Sequence, residues 1–135
     1  MAATTFQQLT IPERSGEYKV AQLSVRDQTC LCFGAEWNSH GAILMHALHA
    51  AGIGYRTIQG KSGYPVPALE GSLYKVYGLG MAQVDIAHKQ AAFYGSSFDY
   101  GIGIDPEHLK SIQLLVPEWL LQHRETEDVP TDGLF

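Results

Sequence analysis

Glu70 closes a stretch of mostly small and aromatic residues, Gly60-Lys-Ser-Gly-Tyr-Pro-Val-Pro-Ala-Leu69. Tyr55 leads into it, and Tyr64, Pro65 and Pro67 lie within it. A carboxylate so placed can grip a ribose diol or an ammonium group, while aromatic faces hold a base or a cation. A loop-end carboxylate in water is the ordinary alternative.

Other chemistries find less support. Of the six histidines, His40, His46 and His49 fall on one helical stretch. At about 100° per residue, His46 and His49 share a flank while His40 points away. A metalloprotease-type pair needs His four apart with a Glu between, so these three, and His88, His108 and His123, read as solvated or partly exposed. No metal is expected. Glycines 60, 63, 71, 78 and 80 match neither the phosphate-loop nor the dinucleotide pattern. No Ser or Cys sits in a nucleophile elbow. Cys30 and Cys32 are two apart, so on a strand both face one layer as small buried side chains. Asp85 and Asp99 read as surface charges. No cofactor is implied.

Composition narrows the class. The 135 residues are one domain's worth of chain, and 45% apolar content supports a core. A net charge of -5 argues against nucleic acid as a partner, because a basic footprint is missing. It is also too mild for a DNA mimic. No apolar run approaches the roughly 18 residues of a membrane span, so no membrane association is expected. The first residues lack a basic start and an apolar stretch. The expected location is the cytoplasm.

Elements must hold these residues in place. Residues 1–17 read as an N-terminal arm, 18–123 as one domain and 124–135 as a flexible acidic tail. In Tyr18–Val25, Ala21, Leu23 and Val25 alternate with Gln22 and Ser24 as a half-buried strand; with a turn at Arg26-Asp27-Gln28, Thr29–Phe33 is a second short strand, or else it continues the first past a bulge. Asn38 and Ser39 cap a helix over Gly41–Ala51, ended by Gly52. Tyr55–Ile58 is a strand. A loop of about ten residues follows, a length that is often functional. Ser72–Tyr77 is a strand broken by Gly78 and Gly80. Met81, Val84, Ala87, Ala91 and Tyr94 make a second helical stripe. Phe98–Ile104 is a strand stopped by Asp105-Pro106, Leu109–Val116 a last strand, and Pro117–Leu121 a helical turn. This order predicts an α+β, ferredoxin-like (βαββαβ) antiparallel sheet with both helices on one face. The other face must be solvated or covered in an oligomer.

Asn38-Ser39-His40, Leu48-His-Ala-Ala51, Gly52, Tyr55 and Glu70 resemble the S-adenosylmethionine-cleaving enzymes of coliphages, long called hydrolases and now assigned as lyases. The likeness runs through Lys75-Val76 and the alanine-rich segment 82–92 to Ile104, or roughly residues 36–105. A domain family of unknown function has a similar layout of helix, loop, Glu and strand.

The resemblance implies a homotrimer of PII-like build with active sites between subunits, acting on S-adenosylmethionine. The products are 5′-methylthioadenosine and homoserine lactone, and the phage thereby deprives host restriction and methylation enzymes of their methyl donor. Glu70 would hold the ribose hydroxyls or the substrate ammonium. Tyr55 and Tyr64 would wall the adenine or face the sulfonium. Pro67 would shape the loop backbone that reads the adenine edge. Phe98 and Tyr100 would reach in from a neighbouring subunit, although alternating strand residues equally suit a core. The alternative is a non-catalytic PII-like trimer that senses an adenine nucleotide.

Overall fold

In a computed structural model of the chain, the described residues are Leu9, residues 11–35 and residues 38–124. The elements are β1 (Gly16–Val25), β2 (Gln28–Ala35), α1 (His40–Ala50), β3 (Thr57–Gln59), β4 (Pro65–Pro67), β5 (Tyr74–Asp85), β6 (Gln90–Tyr94), α2 (Pro106–Leu115) and β7 (Leu120–His123). The fold is α+β. A five-stranded sheet runs β2-β1-β5-β6-β7, and β3 and β4 form a separate two-stranded hairpin.

The sheet departs from the ferredoxin-like expectation in two ways. It is mixed, because β6 and β7 pair in parallel. The helices also lie on opposite faces. Ala21, Leu23, Cys30 and Cys32 pack with Ile43, Leu44, Ala47 and Leu48 of α1. Val20 and Leu31, one residue out of step with these, pack with Phe93 and with Leu109 and Ile112 of α2. Successive strand residues point to opposite faces, so β1 and β2, apolar at both parities, require a cover on each side. The two cysteines share the α1 face as expected. Burial pushes the Cys30 thiol up to about 11 and the Cys32 thiol up to about 12, so both are inert thiols at neutral pH.

Local chemistry explains the reassigned segments. The stripe from Met81 to Tyr94 is not a helix but the end of β5, a turn and β6. Ala82 and Val84 point inward while Gln83 is exposed, a period of two. The Asp85 carboxylate accepts from the His88 N–H (3.2 Å) and the His88 ring Nδ1–H (2.7 Å), which bends the chain. Lys89 completes the turn at φ 53°. Residues 97–104 form a reverse turn rather than a strand: the Gly101 N–H bonds the Ser97 carbonyl at 2.8 Å and the Ser97 N–H bonds the Ile102 carbonyl at 2.9 Å.

Asp105-Pro106 does not merely stop a strand. Asp105 caps α2, accepting from the N–H groups of Glu107 and His108, and Pro106 takes the first turn. The expected strand at 109–116 is therefore helix, and Leu109, Ile112 and Val116 are its buried stripe. The expected turn at 117–121 contributes instead to β7. β5 runs unbroken through Gly78 and Gly80, where other backbone comes too close for a side chain.

The boundary of the N-terminal arm moves, since β1 starts at Gly16. Leu9 bridges Leu31, and Leu9 and Ile11 pack on the α2-side core. At the other end the Arg124 N–H bonds the Phe93 carbonyl at 2.8 Å. The remainder of the expected arm and the tail from 125 lie outside the described residues. No helix among the described residues is long and apolar enough to cross a membrane.

His40 and His108 are buried rather than solvated, at 6% and 7% exposure. Each ring Nε2–H donates to a backbone carbonyl, His40 to Gly80 at 2.9 Å and His108 to Leu23 at 3.1 Å. Burial holds both imidazoles below the usual histidine range, outweighing the upward pull of those bonds; Lys19 lowers His40 further, whereas Asp99 raises His40 and Asp105 raises His108. The unfolded chain therefore binds more protons than the folded one just below the usual histidine pKa of about 6.5. Their contribution to stability is complete above that value and is lost as pH falls towards the depressed folded values. Urea midpoints at pH 7.5 and pH 5.5 should show the chain less stable at the lower pH. The slope would be at most about 1.4 kcal/mol per pH unit for each histidine. Equal midpoints would contradict the burial of these rings.

Candidate functional site

The structure distributes the expected site residues over three places. Glu70 is exposed and lines an open groove of 260 Å³ with Ser24, Arg26, Asp27, Ser72, Lys75 and Tyr77. Tyr55 and Tyr100 pack against the α1-side core. The Tyr100 hydroxyl donates to the Pro67 carbonyl at 2.6 Å, and burial pushes that phenol well above its usual range. Nearby Tyr74 donates to the Ala68 carbonyl at 2.6 Å. Tyr100 and Pro67 thus seat the β3–β4 hairpin on the core. Tyr64 and Phe98 stand out from the surface at 72% and 73% exposure. The hairpin tip is held by Asp99, whose carboxylate accepts from the Ser62 N–H at 2.8 Å and is kept below the usual carboxylate range by bonds to Ser62.

The Glu70 groove is built by two strand ends and the turn between β1 and β2. Backbone pairing of Glu70 with Lys75 folds the chain back at Gly71-Ser72. Val25 pairs with Gln28, so Arg26 and Asp27 form a two-residue hairpin turn. Both are left-handed, at φ 49° and 67°. This turn ordinarily takes Asn-Gly, and an arginine in that conformation costs of order 1 kcal/mol. Two compensations hold it there. The Arg26 N–H bonds the Leu73 carbonyl at 2.8 Å, and its guanidinium donates to the Ala51 carbonyl at 2.7 Å, at the C-terminal end of α1. The strain thus fixes two opposite charges at the groove's rim.

Tyr77 supplies the aromatic wall. It is the extra residue of a bulge in β5, because Leu23 pairs with Val76 while Gln22 pairs with Gly78. The bulge turns its ring outward, 38% exposed, and the Lys75 Nζ lies 5.1 Å from its centroid. The ring already attracts a cation.

The groove therefore offers Arg26 and Lys75 to a carboxylate, Glu70 and Asp27 to an ammonium or a diol, and Tyr77 to a cation or a flat ring. Sequence reasoning placed Glu70 but missed Arg26, Asp27, Lys75 and Tyr77. The available signal was the reading of 26–28 as a turn, which puts its charges beside whatever strand pairs next to β1. No three His, Cys, Asp or Glu side chains among the described residues form a metal-binding group. Compared with known proteins, the chain matches no family model and no curated protein.

Proposed function

We propose that the chain cleaves S-adenosylmethionine to 5′-methylthioadenosine and homoserine lactone. The observation that carries this reading is the convergence of both signs of charge and an exposed aromatic ring on the Glu70 groove. An amino-acid head group presents a carboxylate and an ammonium together, and a sulfonium is a cation suited to the face of Tyr77. Arg26 and Lys75 take the carboxylate, and Glu70 with Asp27 takes the ammonium.

No enzyme nucleophile is needed. A carboxylate oxygen of the substrate attacks its own γ-carbon, the carbon–sulfur bond breaks, and its electron pair returns to sulfur as a neutral thioether. The ammonium keeps its proton, so charge and atoms balance without water. The protein's task is to fold the methionine arm into an attacking shape and to exclude solvent. An open groove on one protomer does the second poorly, so the active form is a homotrimer in which a neighbour closes it; exposed Tyr64 and Phe98 suit such a contact. Acting in the cytoplasm, the enzyme would deplete the methyl donor used by modification and restriction enzymes.

Purified protein incubated with S-adenosylmethionine should release methylthioadenosine, read by chromatography; none above the blank ends the proposal. Labelled water should leave the initial lactone unlabelled. Glu70→Gln should reduce kcat/KM by about 10- to 100-fold, the worth of one charge-assisted bond. Undiminished turnover in that variant would remove Glu70 from the site while leaving the activity.

A further inference from the structure

The β3–β4 hairpin is paired on one side only. The Ala68 N–H bonds the Arg56 carbonyl at 2.8 Å, and the Gly60 N–H bonds the Tyr64 carbonyl at 2.9 Å. With Ile58 opposite Val66, residues 56, 58 and 60 turn their backbone groups towards β4, and Thr57 and Gln59 turn theirs away. No group among the described residues meets these outward N–H and C=O groups. β4 sets Pro65 and Pro67 opposite the same two residues, so its own far side has no N–H to offer there. We propose that β3 is completed by β3 of a second copy of the chain, antiparallel about a twofold axis at Ile58, so that two hairpins make one four-stranded sheet.

The edge is open and matches itself. An exposed strand edge ordinarily carries a charge, a proline or a bulge that turns other strands away. Thr57-Ile58-Gln59 has none of these, and all three residues are exposed. A two-stranded ribbon is also marginal by itself. Within Thr57–Gln59, one register uses both outward residues of each chain. Thr57 then faces Gln59 of the second copy, and each such pair exchanges two backbone hydrogen bonds. Ile58, 43% exposed, falls opposite its twin at the close, non-hydrogen-bonded position, where the two side chains cover each other.

The charges select the partner. In that register Arg56 lies opposite Gly60 of the second copy, and opposite residues project to the same face. Asp99 holds the place of a Gly60 side chain: a β-carbon there would be 2.9 Å from its carboxylate. Each Arg56 is thereby set beside Asp99 of the other copy, twice over by symmetry. Arg56 is exposed and has no ion pair among the described residues. The Asp99 carboxylate stays ionised through its bonds to Ser62. An unrelated extended peptide would satisfy the backbone but would have to bring both the apolar centre and acids at this spacing. The contact is isologous, so it closes on two copies. It involves no residue lining the Glu70 groove and stands apart from the activity and the homotrimer proposed above.

Sedimentation over a concentration series should show assemblies that hold an even number of chains. Ile58→Lys, which sets two like charges on the axis, should leave the circular-dichroism spectrum unchanged and abolish the pairing. Arg56→Glu opposes carboxylate to carboxylate and should weaken the pairing at least about tenfold. Oxidation reads the register. Ile58→Cys should form a disulfide-linked pair, because side chains at a non-hydrogen-bonded position are at bridging distance, whereas Thr57→Cys should not. Cys30 and Cys32 are buried and take no part. A parent chain that never pairs leaves β3 to some other strand and overturns the proposal. So does a mass unchanged by Ile58→Lys, or Thr57→Cys linking as readily as Ile58→Cys. Turnover of S-adenosylmethionine by an assembly of three chains keeps the activity and removes this contact. Pairing without turnover keeps the contact and removes the activity.

Discussion

Phe93→Ala is expected to lower the free energy of unfolding by about 3–5 kcal/mol, the usual cost of emptying a fully buried aromatic site. Phe93 is 0% exposed and is packed with Val20, Leu31, Ala82, Val84, Leu109 and Ile112. Its ring also meets Phe33 at 6.3 Å between centroids. β1, β2, β5 and β6 and helix α2 all contribute to this cluster, so no single element can shift to fill the gap. Chemical denaturation should show a lower midpoint with an unchanged slope. A loss below 1 kcal/mol would mean that α2 does not close over the sheet as described.

Gly78→Ala is expected to cost about 2–4 kcal/mol, combining overpacking with broken hydrogen bonds. A β-carbon at Gly78 would collide with the Gln22 side-chain oxygen and come within 2.7 Å of the Asp105 nitrogen and 2.8 Å of the Gly103 oxygen. The last two are backbone atoms and cannot swing aside. Gln22, itself 0% exposed, spans this point: its amide nitrogen donates to the Asp105 carbonyl at 2.9 Å, and its oxygen accepts from the Asp105 N–H at 2.7 Å. The pair ties β1 to the first residue before α2. Pushing it apart displaces the cap at the start of α2, so the helix loses its anchor on β1 as well. Calorimetric unfolding measures the loss. A variant as stable as the parent would show that strand and cap are not this close.

How far the fold could be read in advance depended on local chemistry. α1 announces itself through Ser39, whose hydroxyl accepts from the Ala42 N–H at 3.0 Å, and Gly52, which is left-handed at φ 71°. The β1–β2 hairpin was one of two readings, because Ala21, Leu23 and Val25 alternate with polar residues and Arg26-Asp27-Gln28 suits a turn, whereas the unbroken apolar run Cys30–Phe33 also suits a strand that continues past a bulge. The segment from Met81 to Tyr94 was not, since alanine and valine at spacings of three and four also satisfy a spacing of two. The deciding residue there was Asp85, an ordinary acid until its carboxylate is seen closing the turn. α2 was missed although Asp105-Pro106-Glu107 is a cap, a first-turn proline and a favourable first-turn charge.

The site was half legible for a similar reason. Glu70 stands out by its neighbours in sequence. Arg26, Asp27 and Tyr77 join it only because β5 lies beside β1 with one extra residue, and a bulge leaves no mark in composition. Tyr55 and Tyr100 pack on the α1-side core, since an aromatic next to a polar loop serves equally well to anchor that loop.

α1 lies over one broad surface of the sheet and α2 over the other, yet α2 leaves uncovered the end of its surface where Ser24, Thr29 and Tyr77 line open grooves. The homotrimer proposed above would then be joined along that uncovered end and at its loop tips, like the staves of a cask.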